Sequence, residues 1–359
     1  MKFLILPFVL SALGTFAVLR LFGGHVLWSN HRSLNDPQAL HEHPVPRLGS
    51  IGIALALAFG VGQIALGGPA RSGPQLELLG AALGAAAIGL TEDLTGSVSV
   101  RLRLLWVSAV AMLASLIDGV RIVHTALPWL DWVVAMSPMA SLLLTTFVIT
   151  GLTNAFNIID GLNGLASACA MIILAAIGYV AFLVNDLWIA AFAAVALGAV
   201  AGFFIWNYPG GFIFLGDGGA YLCGFIVCVL GLLLLSRNPG EVSPMFPLLL
   251  CIYPVAETCF SVYRRGIKHK PVSRPDRGHL HSLLFRRLDS RLGRRLGSSD
   301  RTRNSVTTPY LWALCLGSVV PAVFMYDTTW ALMVSIAVFV LVYLTLYRSI
   351  VRFRAPKWL

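Results

Sequence analysis

The chain has 359 residues, of which 57% are hydrophobic and only 12% charged, with a formal net charge of +10. Apolar runs of near-spanning length recur from end to end, which excludes an ordinary soluble domain and predicts an all-α, polytopic transmembrane helical bundle, one integral membrane domain over residues 1–359. The positive charge sits in loops suited to an anionic leaflet, so a lipid bilayer and no nucleic acid is the expected partner.

About eleven spans are expected, at 3–22, 49–67, 75–91, 103–119, 138–158, 162–184, 187–206, 218–236, 244–262, 309–326 and 330–348. The first lacks a small-residue cleavage site and reads as a retained anchor. The loop after it, about 23–48, is stiffened by prolines and carries His41, His43 and Arg47. The third span runs into Glu92-Asp93, followed within 92–103 by Arg101 and Arg103. The fifth ends in Asn154-Ala-Phe-Asn157-Ile-Ile-Asp160-Gly161-Leu-Asn163-Gly164, over 154–164. The segment 207–219 holds Phe214-Leu-Gly216-Asp217-Gly218-Gly219. The long loop 263–307 contains thirteen of the 26 lysines and arginines, with Arg274, Asp276, Arg277, His279 and His281. With eleven spans these five segments fall on one face. Positive charge retained inside makes that face cytoplasmic, with the N-terminus outside and the C-terminus inside. The opposite face keeps Lys2, Arg71, Arg121 and Arg237.

Polar groups at membrane depth are costly and mark function. Four polar side chains spaced by three residues, Asn154, Asn157, Asp160 and Asn163, exceed what capping a helix end requires. A step of three turns each side chain by about 60° from the last on a helix of 3.6 residues per turn, so a continuous helix would splay them. Gly161 and Gly164 permit a break that folds the later members toward one pocket. Glu92, Asp93, Asp160 and Asp217 come from three segments, and their common purpose is to hold a hard divalent cation, Mg²⁺ or Mn²⁺. Arginines and histidines on neighbouring loops suit phosphates. Together they predict phosphoryl transfer to a membrane-embedded acceptor at the cytoplasmic face. A secondary transporter and a non-catalytic scaffold stay open, although a transporter would gather its polar groups near the midplane. The six cysteines read as small core residues, and Glu257 reads as a structural partner of Arg264 or Arg265.

The Asn/Asp motif, together with Phe214-Leu-Gly216-Asp217, resembles the polyprenyl-phosphate N-acetylhexosamine-1-phosphate transferases, glycosyltransferase family 4, whose superfamily includes the phospho-MurNAc-pentapeptide translocase. The resemblance runs from about residue 30 to 285. It departs from the family in having Glu92-Asp93 for the usual Asp-Asp, Asn163 where many members have Asp, Gln38-Ala39-Leu40 where basic residues are usual, and only two histidines in the final motif. It implies transfer of a sugar-1-phosphate from a UDP-N-acetylhexosamine to undecaprenyl phosphate with release of UMP, as the first membrane step of a surface polysaccharide such as O-antigen; phospho-MurNAc-pentapeptide transfer is the alternative. It also implies Asp217 and Asp93 as metal ligands, with Glu92 on the lipid-phosphate side. Asn154, Asn157, Asp160 and Asn163 would line the nucleotide pocket, and Phe214 would stack on uracil. His279, His281, Arg277 and Arg274 would meet the donor phosphates, with His41 and Arg47 on the rim. A homodimer is compatible with this reading.

Overall fold

The computed structural model describes residues 1–22, 45–67, 74–267, 278–288 and 303–352. Among them the regular structure is helical and no strand occurs. Among the described residues, nine helical segments are long and apolar enough to cross a bilayer: α1 Lys2–Phe22, α2 Gly49–Gly67, α3 Gln75–Thr95, α6 Pro138–Ile159, α7 Leu165–Leu183, α8 Leu187–Asn207, α9 Gly216–Arg237, Asn304–Phe324, which contains α13 Thr308–Phe324, and α14 Thr329–Val351.

Two of the eleven expected spans take a different form. The fourth is α4, Val100–Ala114, whose 15 residues reach only about 22 Å at 1.5 Å per residue, short of a hydrocarbon core of roughly 30 Å. The ninth is split into α10 Met245–Leu250 and α11 Ile252–Ile267, with Cys251 between them. Pro254 explains the break, since its ring has no N–H for the Leu250 carbonyl and crowds it. Between α4 and α6 lies a short helix, α5 Pro128–Met136, whose Trp129 and Trp132 are about two-thirds exposed. Indole rings in that setting belong at a membrane interface.

Local chemistry sets the helix ends nearest the site. Ser99 caps α4 by accepting the Leu102 N–H, and Ser137 caps α6 by accepting that of Met139, with Pro138 at the first position. Gly96, at φ 62°, closes α3 and donates its N–H to the Glu92 carbonyl.

At the centre stands α9, with 94% of its apolar window buried, ringed by α2, α3, α6, α7 and α8. Helices in a membrane gain little from burying apolar surface and associate through close packing of small residues. Here Gly89 of α3 meets the start of α9, where an added Cβ would lie 2.5 Å from the Asp217 carbonyl carbon. That contact brings two of the predicted acidic motifs together. Five of the six cysteines are buried, and Cys259 is exposed.

A candidate active site at one end of the bundle

Asp93, Asp217, Arg47 and Arg103 form one ion-paired cluster. Arg47 places Nε 3.3 Å from Asp93 Oδ1 and Nη2 3.2 Å from Asp217 Oδ1. Arg103, from α4, binds Asp217 Oδ2 through Nη1. Asp93 reaches across from α3 to cap α9, accepting the N–H of Asp217 at 3.1 Å and of Gly218 at 2.9 Å. The positive end of the α9 dipole reinforces that arrangement. Gly216, at φ 74°, has space for no side chain, since a Cβ would sit 2.5 Å from Asp93 Oδ2. Arg47, expected at the rim, instead bridges both carboxylates. Its segment is held by two backbone bonds, Phe214 N–H to Pro46 O and Gly49 N–H to Phe214 O. Glu92 uses its longer arm differently from its neighbour: Oε2 accepts the Val98 N–H at 2.8 Å, fixing the turn between α3 and α4.

The Asn/Asp motif breaks where the glycines permit. Helix α6 ends at Ile159, and Asp160, at φ −76° and ψ 57°, turns the chain with the Gly161 N–H bonded to the Ile159 carbonyl at 2.8 Å. These are the dihedrals of an inverse γ-turn. Asn154, Asn157 and Asp160 are half-buried, and their side chains hydrogen-bond to no other described residue. Asp160 keeps access to solvent while protein closes around it. That burial, with Asp217 and Asp93 nearby and Arg47 opposing them, raises its carboxyl to about 7.

Asn163 behaves differently. It is 2% exposed, and its amide donates to the Pro209 carbonyl and to Ser305 Oγ, both at 3.4 Å. Its Oδ1 accepts from Asn304 at 3.4 Å. Thr308 and Trp312 bind the carbonyls of Asn163 and Gly164, while Asn207 accepts the Gly164 N–H. Asn163 therefore anchors the loop that presents Asp160, with its side chain buried among Pro209, Asn304 and Ser305.

His279 and His281 stack in parallel, with centroids 5.4 Å apart and planes 4° apart. His281 covers the Asn/Asp turn, its Nε2 standing 2.3 Å from where a Gly161 Cβ would be. Glu257 does not pair with Arg264 or Arg265. Seven and eight residues along a helix put those arginines about 10–12 Å away along the axis. Its carboxylate instead meets His279 Nδ1 at 3.1 Å, the Leu280 N–H at 2.8 Å and Tyr343 Oη at 2.9 Å. His41, Arg274 and Arg277 lie outside the described residues.

The residues least visible in the sequence are Arg103 and Glu257. Arg103 was legible only as one of several basic loop residues, a cation ten residues after Asp93, with nothing in the sequence to pair it with Asp217. No trio of His, Cys, Asp or Glu among the described residues is grouped as a metal site. Mg²⁺ needs no such trio when phosphates and water complete its shell. The donor set suits such a cation: the carboxylates of Asp93 and Asp217 lie together against Arg47, and those of Asp160 and Glu92 are near enough to act on the same guanidinium.

Residues 76–235 match the family described as glycosyl transferase family 4. The chain is 28% identical over 246 residues to a probable undecaprenyl-phosphate N-acetylglucosaminyl 1-phosphate transferase of Bacillus subtilis (strain 168), covering 68% of this chain and 67% of the relative. It is 25% identical over 256 residues to the undecaprenyl-phosphate alpha-N-acetylglucosaminyl 1-phosphate transferase of Escherichia coli (strain K12), covering 68% and 66%. The chain thus spans about two thirds of the length of these relatives. A shorter match, 37% identical over 92 residues and 26% of this chain, is to the phospho-N-acetylmuramoyl-pentapeptide-transferase of Streptococcus thermophilus (strain CNRZ 1066).

Proposed function

We propose, from the premise that the chain belongs to glycosyl transferase family 4, that it transfers a sugar-1-phosphate from a UDP-N-acetylhexosamine to undecaprenyl phosphate and releases UMP. The observation that carries this reading is the convergence, at one end of the bundle, of Asp217 and Asp93 with Arg47 and Arg103, beside the open amides of Asn154 and Asn157 and the carboxylate of Asp160. Anion-binding and acidic groups gathered at a helix end suit two phosphorylated substrates better than a transported solute.

In this reaction an oxygen of the lipid phosphate forms a bond to the sugar-linked phosphorus. The bond from that phosphorus to the oxygen bridging it to UMP breaks, and UMP leaves with the electron pair. A phosphate monoester with a second pKa near 6 is largely dianionic at neutral pH, so the nucleophile needs little help from a base. Positioning and charge neutralisation then carry most of the rate. Arg47 and Arg103 supply fixed positive charge at the mouth of α9. Asn154, Asn157 and Asp160 offer hydrogen bonds to the nucleotide, and the histidine pair, with His281 lying on Gly161 of the same turn, offers imidazoles to its phosphates. Asp217 and Asp93 would hold Mg²⁺, which when bound neutralises the donor pyrophosphate and the leaving UMP. The lysines and arginines concentrated in the loops of this end support a cytoplasmic orientation for the site.

The test is UMP release by detergent-solubilised protein supplied with undecaprenyl phosphate and a panel of UDP-N-acetylhexosamines, with and without chelator. UMP formed only when lipid, donor and divalent metal are all present supports the reading. The short match to a pentapeptide transferase makes UDP-MurNAc-pentapeptide the necessary comparison, and turnover of that donor alone would replace the hexosamine reading with the alternative.

A further inference from the structure

The last membrane helix reaches the histidine loop. Tyr343 and Tyr347 lie one turn apart on α14. Tyr343 Oη donates to Glu257 Oε2 at 2.9 Å, while Tyr347 Oη donates to the Gly278 carbonyl at 3.0 Å and accepts from Arg264 Nη1 at 3.1 Å. Glu257 Oε1 takes the remaining two contacts, His279 Nδ1 at 3.1 Å and the Leu280 N–H at 2.8 Å. Glu257 is 2% exposed and Tyr343 1%. The segment 278–280 is thereby held through its backbone at both ends and through one ring nitrogen in the middle.

A plain latch needs no charge here. Taking a carboxylate out of water costs several kcal/mol, and a glutamine could accept the same Leu280 N–H. The carboxylate has a specific use beside an imidazole. It selects the tautomer with the proton on Nδ1, fixes the plane of the ring and stabilises positive charge that appears on it when Nε2 donates to an anion. His281, stacked parallel to His279 and resting on Gly161, inherits the same plane.

We propose that Glu257 and Tyr343 are positioning residues for phosphoryl transfer: with both carboxylate oxygens occupied, Glu257 holds His279 by Nδ1 and so fixes the tautomer and plane of the ring stacked on His281, over the Gly161 turn. This rests on the transferase reading above. Tyr343 acts one step further back, since without its hydroxyl the carboxylate loses the bond that stops it rotating away from the ring.

The test is a double-mutant cycle on the full chain in detergent, with Glu257→Gln, His279→Ala and their combination, and with Tyr343→Phe alone and combined with His279→Ala. UMP release gives kcat and donor KM, calorimetry gives affinity for UDP, and thermal unfolding monitors the fold. Glu257→Gln is expected to lower kcat at least about 10-fold with donor KM changed less than about 3-fold, and Tyr343→Phe to lower kcat about 3-fold. Both effects should vanish once His279 is Ala, because the residues act through that ring. Wild-type kcat in Glu257→Gln, or a loss that persists undiminished on the His279→Ala background, overturns the proposal in favour of a structural latch. Should Glu257→Gln fail to fold, the Tyr343→Phe cycle decides the same question. If wild-type protein turns over no donor, the functional reading fails, while the UDP-affinity cycle still reads the coupling; folded wild-type protein that also binds no UDP overturns both.

Discussion

Helices α3 and α9 touch at a place where only hydrogen fits. A Cβ on Gly89 would lie 2.5 Å from the Asp217 carbonyl carbon, 2.5 Å from the Gly218 nitrogen and 2.7 Å from the Asp217 carbonyl oxygen. All three are backbone atoms of the first turn of α9, so no rotamer can yield. Ordinary carbon contacts lie near 3.5–4.0 Å, and Gly89→Ala must therefore push the two helices apart by about 1 Å. The bonds from Asp217 and Gly218 to Asp93, now 3.1 and 2.9 Å, would stretch beyond hydrogen-bonding range. Overpacking costs about 1–3 kcal/mol, and loss of hydrogen bonds to a charged group adds about 1.5–3 kcal/mol each. Against this stands only the intrinsic advantage of Ala over Gly in a helix, about 1 kcal/mol. Net destabilisation of a few kcal/mol is expected. A misplacement of about 1 Å at the acidic cluster should also reduce turnover on the order of 100-fold.

Gly80, nine residues earlier on the same helix, supplies the control, because a Cβ there meets nothing within 4 Å. Gly80→Ala should be neutral or slightly stabilising. The assay pairs thermal unfolding in detergent with UMP release for wild-type protein and both variants. Gly89→Ala protein with turnover within twofold of wild type and an unchanged melting temperature would refute the close contact and, with it, the claim that this contact sets the acidic cluster.

Three further outcomes are expected. Asp217→Asn should lower turnover at least about 100-fold and also lower the melting temperature, because Arg103 loses its buried counter-ion; an unchanged melting temperature would mean that the pair does not form in solution. Glu92→Asp restores the family's common acidic pair but shortens the arm that reaches the Val98 N–H, so it should destabilise the α3–α4 turn and reduce activity, and full activity in a fluorometric UMP assay would deny that turn a role. Asp160, raised by burial to about 7 from near 4 in the unfolded chain, favours the folded state as the neutral acid, and this advantage is lost as pH rises through about 7. Asp160→Asn should therefore match wild type at about pH 3.5, below both pKa values, and exceed it at pH 8.5 in chelator, by roughly 1–2 kcal/mol after solvent screening; equal melting temperatures at both pH values would count against a raised carboxyl.

How much of this was legible beforehand depended on the range of each interaction. Membrane spans follow from composition over about 20 residues, and most were placed well. The spans that take a different form failed for local reasons: α4 has too few helical residues, and Pro254 interrupts α10–α11. The break after Ile159 was readable because glycines and spaced amides are consecutive in sequence. The roles of Arg47, Arg103, Asn163 and Glu257 were not readable, because each depends on a partner between 22 and 170 residues away. One sequence gives no signal for which arginine crosses to Asp217, or for whether a motif asparagine faces ligand or backbone. Asn163 shows the difficulty most plainly, since its spacing from Asp160 implies a shared pocket while the turn at Asp160 sends it into the protein.

The family match ends at residue 235, yet the two segments that carry the Asn/Asp turn and the histidine pair are held from beyond it. Asn304, Ser305, Thr308 and Trp312 bind Asn163 and Gly164; Tyr343 and Tyr347 bind Glu257 and Gly278. Each of these contacts is a hydrogen bond, which adds to close packing where lipid removes the hydrophobic drive for helix association. Phosphoryl transfer depends on placing two anionic substrates in line, so a loop free to shift by about 1 Å loses most of its catalytic value. The Asn/Asp turn, which lies inside the matched residues, is thus anchored from α13, while the histidine pair, itself beyond residue 235, is anchored from α11 and α14, whose sequences need only supply a few hydroxyls, amides, a carboxylate and an indole at the right height in the bundle.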